Sequence, residues 1–323
     1  MINPTSPLLQ ARIAQQQNNS VNQQPKQDLP KVEDSVELST KPKMSKKKKA
    51  LIAFTAALGA AAVAAGVVSL TRKGVIQDKT LVQAVQGTEQ KIKTASQGIL
   101  DDVQKIQDTL NAAQKRVDEV LSSFTEVKPL EDGTKVIEKF ADDGKTLVSK
   151  STLRNDFLTI DDFAEKTRIN ANNGKLRNFY KGAEFSGDYI KRADECFEIF
   201  EGFYRNAEFV DGSAIKADEY FDFLGKEASK NNLYQYHKNV EFTPDNATKS
   251  DECFSFTDGK LFAWAKDYQK NFLADEFGGE KIFFDDDEKL IQWANNYQLS
   301  SDGKNWTYDS LINVENGKIK KYS

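Results

Sequence analysis

Residues 50–70, from Ala50 to Leu70, carry no charged side chain, in a chain where 29% of residues are charged. At 1.5 Å per residue such a stretch makes a helix of about 31 Å, close to the hydrocarbon thickness of a bilayer. Lys41, Lys43 and Lys46 to Lys49 precede it, and Arg72 and Lys73 follow it. The larger basic block lies on the N-terminal side. The pattern therefore predicts a single-pass transmembrane anchor over 50–71, with the N-terminus cytoplasmic and the C-terminal domain extracytoplasmic. Its larger apolar residues, Leu51, Ile52, Phe54, Leu58, Val63, Val67, Val68 and Leu70, favour insertion by about 2.5–5 kcal/mol. Two other readings compete. Ala62-Val63-Ala64 has the small residues of a signal-peptide cleavage site, but the region before it is too long for one. An alanine-rich soluble helix is the second.

Charge is distributed unevenly on either side of this segment. Residues 1–49 hold nine Lys or Arg against four acids, together with glutamine runs and five of the seven prolines. So little apolar surface cannot offset the entropy of ordering, and a disordered basic tail is expected. From Pro129 onward acids exceed bases by ten. An acidic surface repels phosphate, which argues against a nucleic-acid partner. Two cysteines and one histidine exclude a disulfide-rich scaffold and most zinc chemistry.

Residues 75–127 contain no proline and read as one long helix, the body of a stalk expected over 72–128. Leu81, Val85, Thr88, Ile92, Ala95, Ile99, Val103, Ile106, Leu110, Ala113, Val117, Val120 and Phe124 recur at spacings of three and four. This is a heptad seam with one stutter near Ile99, and it predicts a coiled-coil stalk through which chains self-associate over 75–127. An amphipathic helix folded back onto the C-terminal domain is the alternative.

The fold class expected for 129–323 is α+β. Asp143-Gly144, Asn173-Gly174, Asp258-Gly259, Asp302-Gly303 and Asn316-Gly317, each followed by Lys, suit tight hairpin turns. The clearest hairpins join Lys135–Phe140 to Thr146–Ser151 and Leu311–Val314 to Ile319–Tyr322. Ser213 can cap a helix running to about Ser229. Helical spacing predicts helices over Leu290, Trp293, Ala294 and Tyr297 and over Leu261, Ala265, Tyr268 and Phe272, the last competing with a hairpin at Asp258-Gly259. The Gly-Lys-aromatic punctuation resembles bacterial cell-wall-binding hairpin repeats, but lacks their regular Gly-Trp steps and fixed short period, so no function follows from it. The word Asp194-Glu195-Cys196-Phe197 recurs as Asp251-Glu252-Cys253-Phe254, which suggests a duplicated unit of about 57 residues.

No signature selects a catalytic residue, a metal ligand or a cofactor. Asp285 to Glu288 lack the spacing of a calcium loop. Phe262, Trp264, Trp306 and Tyr308 follow glycines at matching offsets, and on strands they would present rings to a glycan or protein ligand. Cys196 and Cys253 are the one pair able to form an intramolecular disulfide, with two buried thiols as the alternative. The function expected is interaction or scaffolding by a membrane-anchored envelope protein. A hydrolase using paired carboxylates and a soluble coiled-coil protein stand as alternatives.

Overall fold

The computed structural model describes residues 79–321 apart from 187–188, 200, 225–227, 244–247, 272–274, 302–304 and 316–317. One helix, α1 (Lys79–Ser123), is followed by an antiparallel sheet of seventeen strands. In chain order these are β1 (Lys135–Phe140), β2 (Leu147–Arg154), β3 (Phe157–Asp162), β4 (Thr167–Asn172), β5 (Lys175–Lys181), β6 (Glu184–Ser186), β7 (Tyr189–Glu198), β8 (Gly202–Val210) and β9 (Ser213–Phe223). Then come β10 (Leu233–Phe242), β11 (Thr248–Thr257), β12 (Lys260–Lys270), β13 (Glu276–Phe284), β14 (Leu290–Leu299), β15 (Trp306–Thr307), β16 (Ser310–Glu315) and β17 (Lys318–Lys321). Each full strand pairs with the next, so the sheet is a plain meander; the short β6 and β15 pair with β7 and β14 beside β5 and β16.

The helix lies across this meander. Its apolar face, from Val85 through Ile92, Val103, Ile106 and Val117 to Phe124, is buried in one cluster with Leu158, Phe203, Phe254, Trp293 and their neighbours on the sheet. Polar contacts give the direction. Arg116 meets Asp162 of β3 at 2.8 Å, and Gln114 bonds Gly174 and Leu176 at the start of β5. Asp102 pairs with Arg205 of β8, while Val82 and Val85 adjoin Val314 and Ile319 at the far end. From Gln114 to Val85 the helix rises about 44 Å. The nine strand steps from β5 to β16 span about 43 Å at the usual spacing. Helix and sheet are therefore matched in length.

This arrangement corrects the expected stalk. The seam is real, but its partner is the chain's own sheet, so no coiled coil forms from it. Thr88 and Val120 sit at the edge of the interface, Ala95 is exposed, and Ser96 is buried in its place. The α+β expectation is corrected as well, since the described domain is antiparallel β with one long helix. Among the described residues no helix is long and apolar enough to cross a membrane, which conflicts with a single-pass membrane topology. Residues 50–70 and the basic tail before them lie outside the described residues.

All three helices expected after Pro129 are strands: Ser213–Phe223 is β9, Leu261 to Tyr268 lies in β12, and Leu290 to Tyr297 lies in β14. The reason is a repeated backbone device. Arg177, Tyr234, Phe262 and Ile291 are extra residues, each skipped by the register of its partner strand and so forming a β-bulge. Five residues after each comes a left-handed residue: Gly182, Asn239, Asp267 and Asn296, all with φ between 46° and 61°. Each irregularity flips the two-residue alternation. Buried positions consequently fall at Leu233, Tyr236, His237 and Val240, at Leu261, Trp264, Ala265 and Tyr268, and at Leu290, Trp293, Ala294 and Tyr297. Those are helical intervals written by a bent strand.

The left-handed residues, with Asn206 in β8, form a crease. Tyr180 and Phe185 lie five residues apart, as do Tyr204 and Phe209, yet their ring centroids are 6.1 and 6.3 Å apart. In a straight strand five residues span about 16 Å. The limbs on either side of the crease thus approach each other and bury a second core, including Cys196, Tyr204, Ala207 and Ala217, and further along Cys253, Ala265, Tyr268 and Tyr297. Strands buried on both faces lose the alternation that marks half-buried ones.

Across the crease each corner residue faces a partner on the next strand or, for Asp309, just before it. The amide groups of Asn206, Asn239 and Asn296 donate to Asp218, Asp251 and Asp309 at 2.6–2.9 Å. Gly182 leaves room for Asp194, and Asp267 faces Gly279. Wherever the corner is Asp, its partner has no carboxylate. The echo at 194 and 251 belongs to this series: β7 and β11 are two hairpins apart, and β9 carries the intermediate copy Asp218-Glu219-Tyr220-Phe221. The repeating unit is one hairpin.

Two substitutions test this fold. Ile106→Asp places a charge in the helix–sheet core and should destabilise the domain by about 3–5 kcal/mol, seen as a lower urea midpoint. A coiled-coil seam would instead lose oligomerisation at unchanged monomer stability. Gly279→Asp sets a Cβ 2.8 Å from the Asp267 carboxylate and adds a like charge, with an expected loss of about 1–3 kcal/mol. The paired change Asp267→Asn should recover most of it.

Candidate functional site

The crease face carries a continuous cross-strand row: Arg168, Tyr180, Cys196, Tyr204, Tyr220, His237, Cys253, Ala265, Lys281, Ala294 and Leu311 stand opposite one another in register. Tyr204 stacks on Tyr220 with centroids 4.7 Å apart, and Tyr220 on His237 at 5.8 Å. The interior of this row is closed. His237 is buried, its Nδ1 lies 3.1 Å from the Ser250 hydroxyl, and its Nε2 is 4.0 Å from Cys253 Sγ. Burial, reinforced by the charge of Lys270, lowers the His237 pKa to about 3. Burial likewise raises the Cys253 thiol to about 12 and pushes Cys196 well up. These groups are packing partners rather than nucleophiles.

Cys196 and Cys253 are free thiols. They occupy equivalent places in β7 and β11, four strand steps or about 19 Å apart. That exceeds the reach of a disulfide, whose Cα atoms lie within about 7 Å. Equivalent positions in a meander are held apart by the strands between them.

Two parts of the crease face open to the surface. The first is aromatic. Phe262 lies against Phe283 (5.7 Å), Phe283 against Trp306 (5.1 Å), and Trp306 against Tyr308 (6.4 Å). Three of the four rings singled out in the sequence are thus brought into one row, with Phe262 49% and Tyr308 44% exposed. Trp264 is not among them. The bulge at Phe262 separates the two, and Trp264 is buried against the helix-facing core, its indole Nε1 donating to Glu252 at 3.3 Å. Phe283 was missed by sequence reasoning because it follows no turn; its signal is its position between Ile282 and Phe284, both helix-facing. Lys281, ion-paired to Glu276, lies 5.5 Å from the Phe283 ring and 5.1 Å from Tyr297. The ring planes meet at 74°, 43° and 73°, so the row is ridged rather than flat.

The second opening is a polar cleft of about 230 Å³ near the N-terminal end of the sheet, lined by Arg168, Asn170, Asn178, Tyr180, Tyr189 and Glu198 among others. Asn178 Nδ2 donates to the Tyr180 hydroxyl at 2.9 Å, which donates to Glu198 Oε1 at 2.6 Å. Burial first, and a hydrogen bond with Glu201 second, raise the Glu198 carboxyl to about 7. Hydrogen-bonded carboxyls stand closer than the roughly 5–10 Å that a glycosidase pair requires around its substrate. Among the described residues no group of acids, His and Cys has the arrangement to hold a metal ion. Asp285 instead closes the β13–β14 turn, accepting from the backbone of Asp287 and Lys289.

Comparison with protein families finds none that matches the chain, and comparison with curated proteins finds no match. The site's chemistry stands on its own geometry.

His237 is the only histidine in the chain, so one set of ring resonances reports on it. With its folded pKa lowered to about 3, those signals should stay unshifted from pH 8 to 5. A depressed folded value means the unfolded chain binds the extra proton. Its contribution to stability is therefore full above about pH 6.5 and is lost as pH falls toward 3. His237→Gln should flatten that acid limb of a melting-temperature profile; a ring titrating near 6.5 in the folded protein would contradict the burial.

Proposed function

We propose that the domain is a protein-interaction module that docks a partner on the ridge of Phe262, Phe283, Trp306 and Tyr308. The observation that carries this reading is the exposure of linked rings on a sheet whose other large aromatics are mostly buried in two cores. Such a patch on a soluble surface marks an interaction site. The angles between rings favour a protein over a glycan. Sugars stack on flat platforms, whereas a ridged apolar surface accepts side chains between its rings, as interface hot spots do. The helix and the crease hold the sheet rigid beneath the row, so little ordering entropy opposes binding. The role that fits is scaffolding, with no chemical step.

Photo-crosslinking tests it directly. A benzophenone amino acid at position 262 or 308, introduced into the protein in its native cell, should give a discrete protein adduct. The same probe at Phe157, 47% exposed on β3, should not. Phe262→Asp and Tyr308→Asp should abolish the adduct formed from the neighbouring position while shifting stability by no more than about 0.5 kcal/mol. Equal labelling at all three positions, or none, would count against the proposal.

A further inference from the structure

The polar cleft is a different kind of opening from the aromatic ridge. Strand register brings its groups together: Arg168 stands opposite Tyr180, Asn170 opposite Asn178, and Asn178 opposite Glu198. Arg168, Asn178, Tyr180 and Glu198 are already held by the protein. Arg168 is fixed on one side by Asp161, its Nε 2.6 Å from Oδ1, and on the other by the Phe185 ring, whose centroid lies 4.0 Å from Cζ. Asn178, Tyr180 and Glu198 form a hydrogen-bonded chain with fixed directions. The crease supplies the wall, because the bend at Gly182 brings Phe185 and Ile190 back over Tyr180. Tyr189 stands at the mouth, 64% exposed, beside Gly212. A preorganised set of this kind loses little entropy on binding.

The pattern of donors and acceptors decides the class of ligand. The Arg168 charge is balanced by Asp161, and the half-buried Glu198, its pKa raised to about 7 by burial and by its hydrogen bond with Glu201, shares a proton with that carboxyl. The lining mixes donors with acceptors, with one accessible aromatic face. Its 230 Å³ falls below the roughly 300–1,000 Å³ of pockets for drug-sized ligands, enough for one ring and not for a chain.

The geometry points to this cleft as a binding site for a single neutral polyhydroxylated ring, a monosaccharide unit, held by Asn170, Asn178 and Glu198 against the face of Tyr189. The hydroxyls of such a ring each donate and accept, which matches a lining of side-chain amides and a carboxyl better than a ligand that only donates or only accepts. Arg168 supplies further donors at the inner end. The ligand is either a free monosaccharide or the terminal unit of a larger glycan, and both present the same chemistry.

The test uses the full-length protein and a panel of neutral hexoses and N-acetylhexosamines, each free and at the non-reducing end of an oligosaccharide, with propylamine and acetate as charged probes. Ligand-observed NMR and calorimetry should find at least one sugar binding in the millimolar range. If the terminal unit of an oligosaccharide binds more tightly than the free sugar, a glycan is the source; equal affinities assign the site to the free sugar. Tyr189→Ala, at an exposed position, should weaken binding about fivefold, equivalent to roughly 1 kcal/mol. Glu198→Ala, which removes the carboxyl that holds the ring, should weaken binding about tenfold. Absence of saturable binding by any sugar at tens of millimolar would overturn the proposal. So would binding of propylamine that Glu198→Gln abolishes, since that would assign the cleft to a cation. Sugar binding indifferent to Tyr189→Ala would place the site elsewhere. Crosslinking at the aromatic ridge is unaffected by any of these results.

Discussion

The apolar contact between one face of α1 and one face of the sheet holds the domain together. A meander of hairpins has no crossover connection to lock it and buries nothing on its own if it stays flat. The row from Val85 to Phe124 gives almost every strand a common partner, and the helix crosses the strands rather than running along them. Its length therefore limits how many hairpins one core can serve. The ion pairs of Arg116 with Asp162 and of Arg205 with Asp102 and Glu219 set the register of helix on sheet. They are half-buried and contribute less energy than the seam, but they distinguish this register from one shifted by a turn.

With one face committed to the helix, the other face is covered by the sheet itself. A left-handed residue in the middle of a strand costs about 1–2 kcal/mol for most residue types and much less for Gly, Asn or Asp. Those three are the types found at all five corners, from Gly182 to Asn296. The pairing across the crease follows simple electrostatics. An Asn amide donates to an Asp carboxylate, glycine makes room for Asp194, and Asp267 faces Gly279. Small residues such as Ala193, Ala207 and Ala217 line the fold, where two limbs approach too closely for larger ones. The crease gives the outer face its shape: an aromatic ridge towards one end of the sheet and a polar cleft towards the other.

Much of this was visible in the residues, but its meaning was not. The seam along α1 was legible because a helix repeats without interruption, yet spacing cannot say whether the partner is another chain or the sheet that follows. The aromatic row was half legible: Phe262, Trp306 and Tyr308 reach the surface, while Trp264 is turned into the core by the bulge before it. Phe283 and the Tyr180–Glu198 chain came from register alone, since the groups that meet are 18 residues or more apart. The corner motif is present in the sequence as an aromatic or apolar pair followed by Lys, Arg or Asn and then Asn, Asp or Gly, as in Phe179-Tyr180-Lys181-Gly182, Phe203-Tyr204-Arg205-Asn206 and Tyr236-His237-Lys238-Asn239.

What the sequence by itself determined is local: a long proline-free helix with one apolar face, turns at Asp-Gly and Asn-Gly, and corners wherever Asn, Asp or Gly interrupts a buried run. These depend on backbone sterics and on the spacing of a few neighbours. Only the tertiary structure decided that the buried runs are strands. Leu290, Trp293, Ala294 and Tyr297 satisfy a helix and a twice-flipped strand equally well. The choice between them comes from hydrogen bonds to neighbouring strands and from a helix that covers one face, and neither is contained in the segment itself.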